Sequence, residues 1–276
     1  MKNFQLKIRK NLIISNDLPL SVIAGPCVIE SKKQAFETAI KLKSVCEHLK
    51  INFIFKCSYD KANRSSINSY RGPGLEKGLK ILKEIKETLN IPVLTDVHCS
   101  YDVKPVAEVV DIIQIPAFLC RQTDLIAACA KTNIPVNIKK GQFLAPQDCE
   151  QIINKIKFFK NNKISLTERG SSFGYRNLVV DFRAIEIMKQ TGYPVIFDAT
   201  HSVQKPGGLG NASGGDRQFV TALAKAACAI GVAALFLEVH KNPDKALSDG
   251  ANSVNFKMFE DILKQVIPID KLVKRK

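Results

Sequence analysis

The fold is decided by the stretch Pro194-Val-Ile-Phe-Asp-Ala-Thr-His-Ser-Val-Gln-Lys-Pro-Gly-Gly208. Val195–Phe197 is a short β-branched and aromatic run, which is typical of a buried strand. Asp198, Thr200 and His201 follow at the point where that strand should end. The glycine-rich loop 205–215 comes next and has no periodicity. This order places reactive side chains on a rigid element beside a loop that is suited to act as a lid.

By itself, the stretch also fits an ordinary buried strand with a polar end. However, short apolar runs of this kind recur along the whole chain, each followed by an amphipathic helix. Strands are predicted at Ser21–Gly25, Ile51–Phe55, Pro92–Leu94, Asp111–Ile115, Pro135–Ile138, Ile164–Leu166, Pro194–Phe197 and Ala234–Leu237. Helices are predicted at Lys32–Leu49, Leu75–Leu89, Tyr101–Val109, Thr123–Lys131, Gln147–Phe159, Asn177–Gln190, Asp216–Ala229 and Val254–Val266. Ser31 and Asp216 are the predicted N-terminal signals of the first and seventh helices.

Strict alternation of apolar strands with helices predicts a parallel sheet that is buried on both faces. Eight such units in about 250 residues fit the α/β class and, within it, a TIM (β/α)8 barrel. A doubly wound open sheet is the alternative, but its glycine fingerprint should follow the first strand, where this chain has Gly25-Pro26-Cys27. We therefore predict one TIM barrel domain over residues 1–276, with a short N-terminal β-hairpin within residues 1–17.

The composition is that of a globular protein with an anionic partner. Of 276 residues, 45% are hydrophobic and 24% are charged, and the net charge is +15. Such an excess favours phosphorylated metabolites, nucleic acid or membrane surfaces. No nucleic-acid motif accompanies the lysines, and the longest uncharged apolar run, Ala226–Leu237, is too short to span a bilayer. We predict a small phosphorylated partner, and neither nucleic acid nor membrane.

The cysteines and the N-terminal segment bear on the cellular compartment. Eight cysteines are present without a Cys-x-x-Cys pair, and Met1–Lys10 lacks the apolar core of a signal peptide. We predict a cytoplasmic protein with reduced thiols, in which most cysteines are small core residues.

Ionisable residues collect at the predicted carboxyl ends of the strands, where TIM barrels carry their active sites. One set consists of cations from strands 2, 5 and 6 and the loops after them, and includes Lys56, Lys61, Arg64, Lys139 and Arg169. Barrel closure would bring them to one mouth, where they can hold dianionic phosphates. The alternative for each lysine taken separately is that it extends to solvent.

A second set, Cys27, His201, Glu238 and Asp249, comes from strands 1, 7 and 8, which barrel closure makes neighbours. A thiolate, an imidazole and two carboxylates suit a borderline divalent ion such as Zn²⁺ or Fe²⁺. The alternative is a core cysteine beside polar residues that bind substrate directly.

Six segments between about Leu18 and Val266 resemble the 3-deoxy-D-manno-octulosonate 8-phosphate synthases. They are Ala24–Cys27, Lys56–Ser66, Gln114–Gln122, Asn137–Phe143, Glu168–Tyr175 and Phe197–Ser202. The resemblance implies a (β/α)8 barrel, a homotetramer, and condensation of phosphoenolpyruvate with D-arabinose 5-phosphate. The product of that reaction enters lipopolysaccharide precursor biosynthesis, and inorganic phosphate is released.

The resemblance also implies roles for individual residues. The phosphoenolpyruvate site would comprise Lys56, Lys61, Gln114, Pro116, Ala117, Lys139, Gln142 and Arg169. The phosphate of arabinose 5-phosphate would contact Asn63, Arg64 and Ser65, and we also assign Ser58 and Asp96 to the substrate site. Cys27, His201, Glu238 and Asp249 match the ligands of the metal-dependent branch, which implies a divalent Zn, Fe or Mn ion, whereas the metal-free branch carries Asn at the cysteine position. The residues expected to take part in catalysis are Lys139, His201, Asp249 and Cys27.

Three other functions stay open. A 3-deoxy-D-arabino-heptulosonate 7-phosphate synthase would use erythrose 4-phosphate, but its loop usually reads Lys-Pro-Arg-Thr where this chain has Lys61-Ala-Asn-Arg64. A Schiff-base aldolase would use Lys139. A non-enzymatic barrel would only bind anions. The loop 205–215 and the stretch Ile67–Gly74 are the predicted lids.

Overall fold

The computed structural model describes residues 3–207 and 214–274. In chain order its strands are β1 (Leu6–Arg9), β2 (Leu12–Ile14), β3 (Ser21–Gly25), β4 (Asn52–Lys56), β5 (Val93–Asp96), β6 (Ile112–Ile115), β7 (Val136–Lys139), β8 (Ile164–Glu168), β9 (Ser171–Ser172), β10 (Leu178–Val179), β11 (Val195–Asp198), β12 (Gln204–Lys205), β13 (Gly214–Gly215) and β14 (Ala234–Glu238). The helices are α1 (Lys32–His48), α2 (Leu75–Leu89), α3 (Ser100–Ala107), α4 (Thr123–Lys131), α5 (Cys149–Phe158), α6 (Arg183–Lys189), α7 (Val220–Ile230) and α8 (Phe256–Val273).

A closed barrel of parallel strands forms the centre of the molecule, in the order β11-β14-β3-β4-β5-β6-β7-β8. Closure is made by β14, which pairs with β3 on one side and with β11 on the other. Alternate strand residues, such as Val136 and Ile138 of β7, belong to the large apolar core cluster that also contains buried helix residues. The predicted TIM barrel is confirmed.

Most barrel strands extend one or two residues beyond the predicted apolar run, because a polar residue continues the ladder before the chain turns. These terminal residues are Lys56, Asp96, Lys139, Glu168, Asp198 and Glu238. The polar side chains that were expected just after the strands therefore belong to the last residues of the strands. This attaches them to the most rigid part of the fold.

The bounds of some helices agree with the prediction, and those of others do not. α2 and α4 have the predicted bounds, and the Ser31 hydroxyl caps α1 by accepting a hydrogen bond from the backbone N–H of Gln34 at 3.1 Å. The predicted helix Asn177–Gln190 is wrong in its first part, since Leu178 and Val179 pair with Ser172 and Ser171 as an antiparallel ribbon. That pairing uses the backbone groups that a helix would need.

The prediction for Asp216 is also wrong. It precedes a short 3₁₀ turn, Arg217–Phe219, and α7 begins only at Val220. The Asp216 carboxylate caps no backbone N–H and instead accepts a hydrogen bond from Lys205 Nζ at 2.9 Å.

The predicted N-terminal hairpin is confirmed as the antiparallel pair β1–β2. Leu6 and Ile14 are buried against inward residues of the barrel, such as Ile112 at the start of β6. The Arg9 guanidinium donates to both carboxylate oxygens of Asp111, at 3.1 and 3.2 Å. Since Asp111 directly precedes β6, the hairpin closes the amino-terminal end of the barrel, opposite the charged strand ends.

The two predicted lids differ in what the structure describes. Lys205 and Gly214 pair across a small antiparallel ribbon formed by β12 and β13, while residues 208–213 lie outside the described residues. Ile67–Gly74 forms no helix or strand, and Ile67 is 90% exposed. Lid closure stays a prediction, as does a single domain over residues 1–276. Among the helices of residues 3–207 and 214–274, none is long and apolar enough to cross a lipid bilayer.

Candidate active site

A cavity of about 270 Å³ opens at the carboxyl end of the barrel. All five cations of the first predicted set line it: Lys56, Lys61, Arg64, Lys139 and Arg169. Lys56, Lys61 and Lys139 are only 1%, 8% and 6% exposed, so these lysines do not extend to bulk solvent. Such a concentration of buried positive charge favours an anionic ligand.

The structure brings most of the other predicted site residues to the same cavity. Its walls also include Asn63, Ser65, Asp96, Gln114, Pro116, Ala117, Gln142, His201 and Asp249. The remaining three, Ser58, Cys27 and Glu238, do not line the cavity, but each contacts a residue that does. Ser58 donates to the Asp96 carboxylate and accepts from Lys56 Nζ at 3.1 Å, while Cys27 and Glu238 contact Asp249 and Lys56 respectively.

Lys56 and Glu238 form a buried ion pair between β4 and β14. Nζ of Lys56 lies 3.0 Å from Oε1 of Glu238, and it also donates to the backbone oxygen of Cys27 at 3.2 Å. Burial opposes the charge on Lys56, but the Glu238 and Asp96 carboxylates together outweigh burial, so the pKa of Lys56 is raised. Removing one partner would leave an uncompensated charge in the barrel, which is strongly destabilising.

A second buried group joins Lys139, Asp198 and His201. Oδ2 of Asp198 lies 2.5 Å from Lys139 Nζ and 2.7 Å from His201 Nδ1. Burial disfavours the Asp198 carboxylate, but its interaction with His201 and the Lys139 charge outweigh burial and hold the pKa of Asp198 well below its usual range. Burial and the Lys139 charge lower the pKa of His201. His201 is therefore neutral near pH 7, with the proton on Nδ1 facing Asp198 and the lone pair on Nε2.

The free lone pair of His201 faces the remaining members of the second predicted set. Nε2 lies 3.8 Å from Glu238 Oε1 and 3.8 Å from Asp249 Oδ2. The Cys27 thiol lies 3.0 Å from Asp249 Oδ2. Burial and the Asp249 charge raise the pKa of the Cys27 thiol, so it is protonated in this arrangement.

These donors can be compared with the needs of a divalent ion. The thiol, imidazole and two carboxylates are of the types that Zn²⁺ and Fe²⁺ accept, and Nδ1 of His201 has the carboxylate partner typical of a metal-bound histidine. Oε2 of Glu238 is buried with no hydrogen-bond partner in the described part of the chain. Even so, residues 3–207 and 214–274 contain no group of three or more His, Cys, Asp or Glu already spaced to hold an ion. The donor chemistry fits a metal, and its binding is a proposal.

Unpaired donors lie among the cations around the cavity. Arg169 donates through Nη2 to Gln204 Oε1 at 2.8 Å, while its Nη1 is buried without a partner among the described residues. Arg64 donates through Nη1 to Ser248 Oγ at 2.7 Å, and its Nε is likewise buried and unpartnered there. Buried guanidinium donors without acceptors are suited to bind an incoming phosphate or carboxylate.

Three polar residues of the cavity wall received no substrate role from the sequence: His98, Gln204 and Ser248. Nε2 of His98 lies 3.0 Å from Asp96 Oδ2, and Gln204 links Arg169 to Asp249 by donating through Nε2 to Asp249 Oδ1 at 2.9 Å. The position of His98, two residues after the end of β5, could have indicated a place in the cavity wall. For Gln204 and Ser248 the only signal was closeness in sequence to His201 and Asp249.

The sequence pattern that defines the DAHP synthetase I family matches residues 3–275. The chain belongs to this family.

Within the DAHP synthetase I family, the chain is similar to enzymes named 2-dehydro-3-deoxyphosphooctonate aldolase. The protein of Geotalea daltonii is 56% identical over 264 residues, which cover 96% of this chain and 97% of that protein. The protein of Fusobacterium nucleatum is 57% identical over 264 residues, covering 96% of this chain and 95% of that protein. The protein of Desulfatibacillum aliphaticivorans is 55% identical over 264 residues, with coverage of 96% and 97%. The resemblance stated from the motifs is confirmed.

Proposed function

We propose that the chain condenses phosphoenolpyruvate with D-arabinose 5-phosphate and water, giving 3-deoxy-D-manno-octulosonate 8-phosphate and inorganic phosphate. The observation that carries the proposal is the ring of buried cations around one cavity, in a chain more than half identical to 2-dehydro-3-deoxyphosphooctonate aldolases. This makes it a transferase that forms a C–C bond and serves lipopolysaccharide precursor biosynthesis.

Phosphoenolpyruvate is proposed to bind among Lys61, Lys139 and Arg169. Lys56, Gln114, Pro116, Ala117 and Gln142 complete this half of the cavity. The cations offset the repulsion between two anionic substrates and fix their relative orientation, which lowers the barrier to C–C bond formation. The unpartnered Nη1 of Arg169 is the donor best placed to gain a partner on binding.

Arabinose 5-phosphate is proposed to place its phosphate on Asn63, Arg64 and Ser65, with Ser58 and Asp96 nearer to the sugar. Arg64 is held by the loop after β14, since its guanidinium donates to Ser248 Oγ and to the backbone oxygen of Leu247. A fixed guanidinium loses less side-chain freedom when it binds phosphate.

Four residues are proposed to take part in catalysis: Lys139, His201, Asp249 and Cys27. Cys27, His201, Glu238 and Asp249 would hold a divalent Zn, Fe or Mn ion. Such an ion, when bound, supplies Lewis-acid polarisation of an oxygen and charge neutralisation. Asp198 keeps the lone pair of His201 directed toward Glu238 and Asp249, and it also holds Lys139 in place. In the overall reaction the enol carbon attacks the aldehyde, water adds at C2 of phosphoenolpyruvate, and phosphate leaves.

A phosphate-release assay tests the proposal. Purified protein is supplied with phosphoenolpyruvate and either arabinose 5-phosphate or erythrose 4-phosphate, and the sugar product is identified by mass spectrometry. Phosphate release with arabinose 5-phosphate, together with the eight-carbon product, is expected. Borohydride trapping of a substrate on Lys139 would instead indicate a Schiff-base aldolase, and absence of turnover with either aldose would indicate an anion-binding barrel.

We also propose that the protein is a cytoplasmic homotetramer. Large aromatic side chains are exposed on loops that follow β6, β7 and β8, namely Phe118, Phe143, Phe173 and Tyr175. Large aromatic side chains exposed at one end of the barrel favour association with another subunit. All eight cysteines are free, which suits a reducing compartment. Light scattering after size-exclusion chromatography should report four times the 30.6 kDa chain mass.

A further inference from the structure

A buried polar cluster lies inside the barrel, at the floor of the cavity and just beneath it. Its members are Gln114, Asn137, Ser165 and Thr167, each at most 3% exposed. Gln114 of β6 pairs in register with Asn137 of β7, which pairs in turn with Ser165 of β8. Val136 and Ile138 belong to the core cluster shared with the helices, so the alternating residues Asn137 and Lys139 point into the barrel. Asn137 therefore lies in the layer directly below Lys139.

The hydrogen bonds within this cluster orient both amides. Oδ1 of Asn137 accepts from the Ser165 hydroxyl at 3.1 Å and from the Thr167 hydroxyl at 2.8 Å. Its Nδ2 is thereby directed to Gln114 and donates to Oε1 of that residue at 3.0 Å. Because Oε1 of Gln114 is occupied by this donor, its Nε2 is the end left for the cavity that Gln114 lines. Across residues 3–207 and 214–274, this Nε2 donates to no protein group.

We infer that Asn137 is a positioning residue, which presents Gln114 to phosphoenolpyruvate as a hydrogen-bond donor. An amide can turn either its oxygen or its nitrogen to a ligand, and only the nitrogen attracts an anion. A fixed donor avoids reorganisation when the anionic substrate arrives. Asn137 itself does not line the cavity and acts through Gln114. The inference rests on the proposed function, since it takes phosphoenolpyruvate as the ligand of this half of the cavity.

Asn137→Asp is the sharpest test, because the side chain keeps its shape but can no longer donate to Gln114 Oε1. The carboxylate would accept from Gln114 Nε2 instead, turning Oε1 toward the anionic substrate. The KM for phosphoenolpyruvate should rise about tenfold or more, the size expected for losing a hydrogen bond to a charged group, while the KM for arabinose 5-phosphate changes less than about twofold. Circular dichroism and the melting temperature report whether the variant is folded.

The deciding measurement is a double-mutant cycle with Gln114→Ala. If Asn137 acts through Gln114, Asn137→Asp should change the phosphoenolpyruvate affinity less than about twofold in the Gln114→Ala background. The same factor with and without Gln114 would overturn the inference, and so would an unchanged affinity in either single variant. If Asn137→Asp does not fold, the same cycle is run with Asn137→Ser, which removes the amide donor without adding charge.

Calorimetric titration with phosphoenolpyruvate alone separates this inference from the proposed function. Native protein that binds phosphoenolpyruvate but releases no phosphate with arabinose 5-phosphate would refute the reaction. The double-mutant cycle could still be measured in that case, because it uses the affinity for phosphoenolpyruvate alone. Native protein that does not bind phosphoenolpyruvate would overturn both.

Discussion

The Sγ atom of Cys27 lies 3.0 Å from Oδ2 of Asp249, joining the loop after β3 to the loop after β14. Burial opposes ionisation of Asp249, but its interactions with His201 and with the charged Lys61 outweigh burial and lower the pKa of this carboxyl. The thiol beside it has a raised pKa. Without a cation, the neutral thiol is favoured, since it can donate a hydrogen bond to the carboxylate. A bound cation would instead favour the thiolate.

Our first prediction concerns the metal. Chelation of the native protein should abolish phosphate release, and Zn²⁺, Mn²⁺ or Fe²⁺ should restore it. Cys27→Ala should lose bound metal and most activity together, because one of the four proposed ligands is missing. The control is Cys228→Ala on α7, which removes another buried thiol that does not line the cavity and should keep both metal and activity. Native protein that is fully active, metal-free and indifferent to chelators would refute the metal proposal.

Replacement of the same cysteine by asparagine is a separate prediction. The resemblance implies that a metal-free branch carries Asn at this position, and an amide can hydrogen-bond to Asp249 without a metal. Cys27→Asn should therefore keep measurable activity that chelators do not remove, below the native rate. Activity of this variant that disappears on chelation would show that an asparagine cannot take over the role of the Cys27 thiol in this chain.

Substitution of Arg64 should weaken mainly the binding of arabinose 5-phosphate. Its removal in Arg64→Ala loses a charge-assisted contact with the aldose phosphate and should cost about 1.5–3 kcal/mol. We expect the KM for arabinose 5-phosphate to rise about 10-fold or more, with a smaller change for phosphoenolpyruvate. Arg183→Ala is the matched control, because this guanidinium is exposed on α6 and pairs with Asp181. Equal changes in both KM values would mean that the role of Arg64 is misassigned.

The choice of aldose should follow the loop Lys61–Ser65. Asn63, Arg64 and Ser65 all line the cavity, and they are proposed to place the five-carbon sugar phosphate. The kcat/KM for arabinose 5-phosphate should exceed that for erythrose 4-phosphate under the same conditions. An equal or higher value for erythrose 4-phosphate would favour the 3-deoxy-D-arabino-heptulosonate 7-phosphate synthase alternative.

The N-terminal hairpin should stabilise the fold without touching the chemistry. Leu6 is 2% exposed and packs beneath the barrel, so Leu6→Ala should lower the free energy of unfolding by about 2–5 kcal/mol. Both KM values should stay unchanged, because the hairpin closes the end opposite the cavity. Lys7→Ala, at an exposed position of the same strand, should leave the free energy of unfolding within about 0.5 kcal/mol of the native value. A Leu6→Ala protein as stable as the native one in urea would show that the hairpin is dispensable.

Local patterns in the sequence were sufficient for the architecture and for the location of the site. Apolar runs alternating with amphipathic helices specify a parallel sheet that is buried on both faces, and eight such units favour its closed form, the barrel. The polar residues that follow those runs mark the active end, since the carboxyl ends of all barrel strands meet there. Local patterns misjudged the segment before α6, where Leu178 and Val179 pair with residues 171–172 in place of forming a helix.

Only the tertiary structure decided how the site residues act on one another. The tautomer of His201 depends on Asp198, and the burial that lowers its pKa comes from the closed barrel. The orientation of the Gln114 amide depends on Asn137, which lies on the neighbouring strand. Periodicity can place each side chain at a strand end or inside the barrel, but protonation and hydrogen-bond direction are set by partners that meet only when the strands close into a ring.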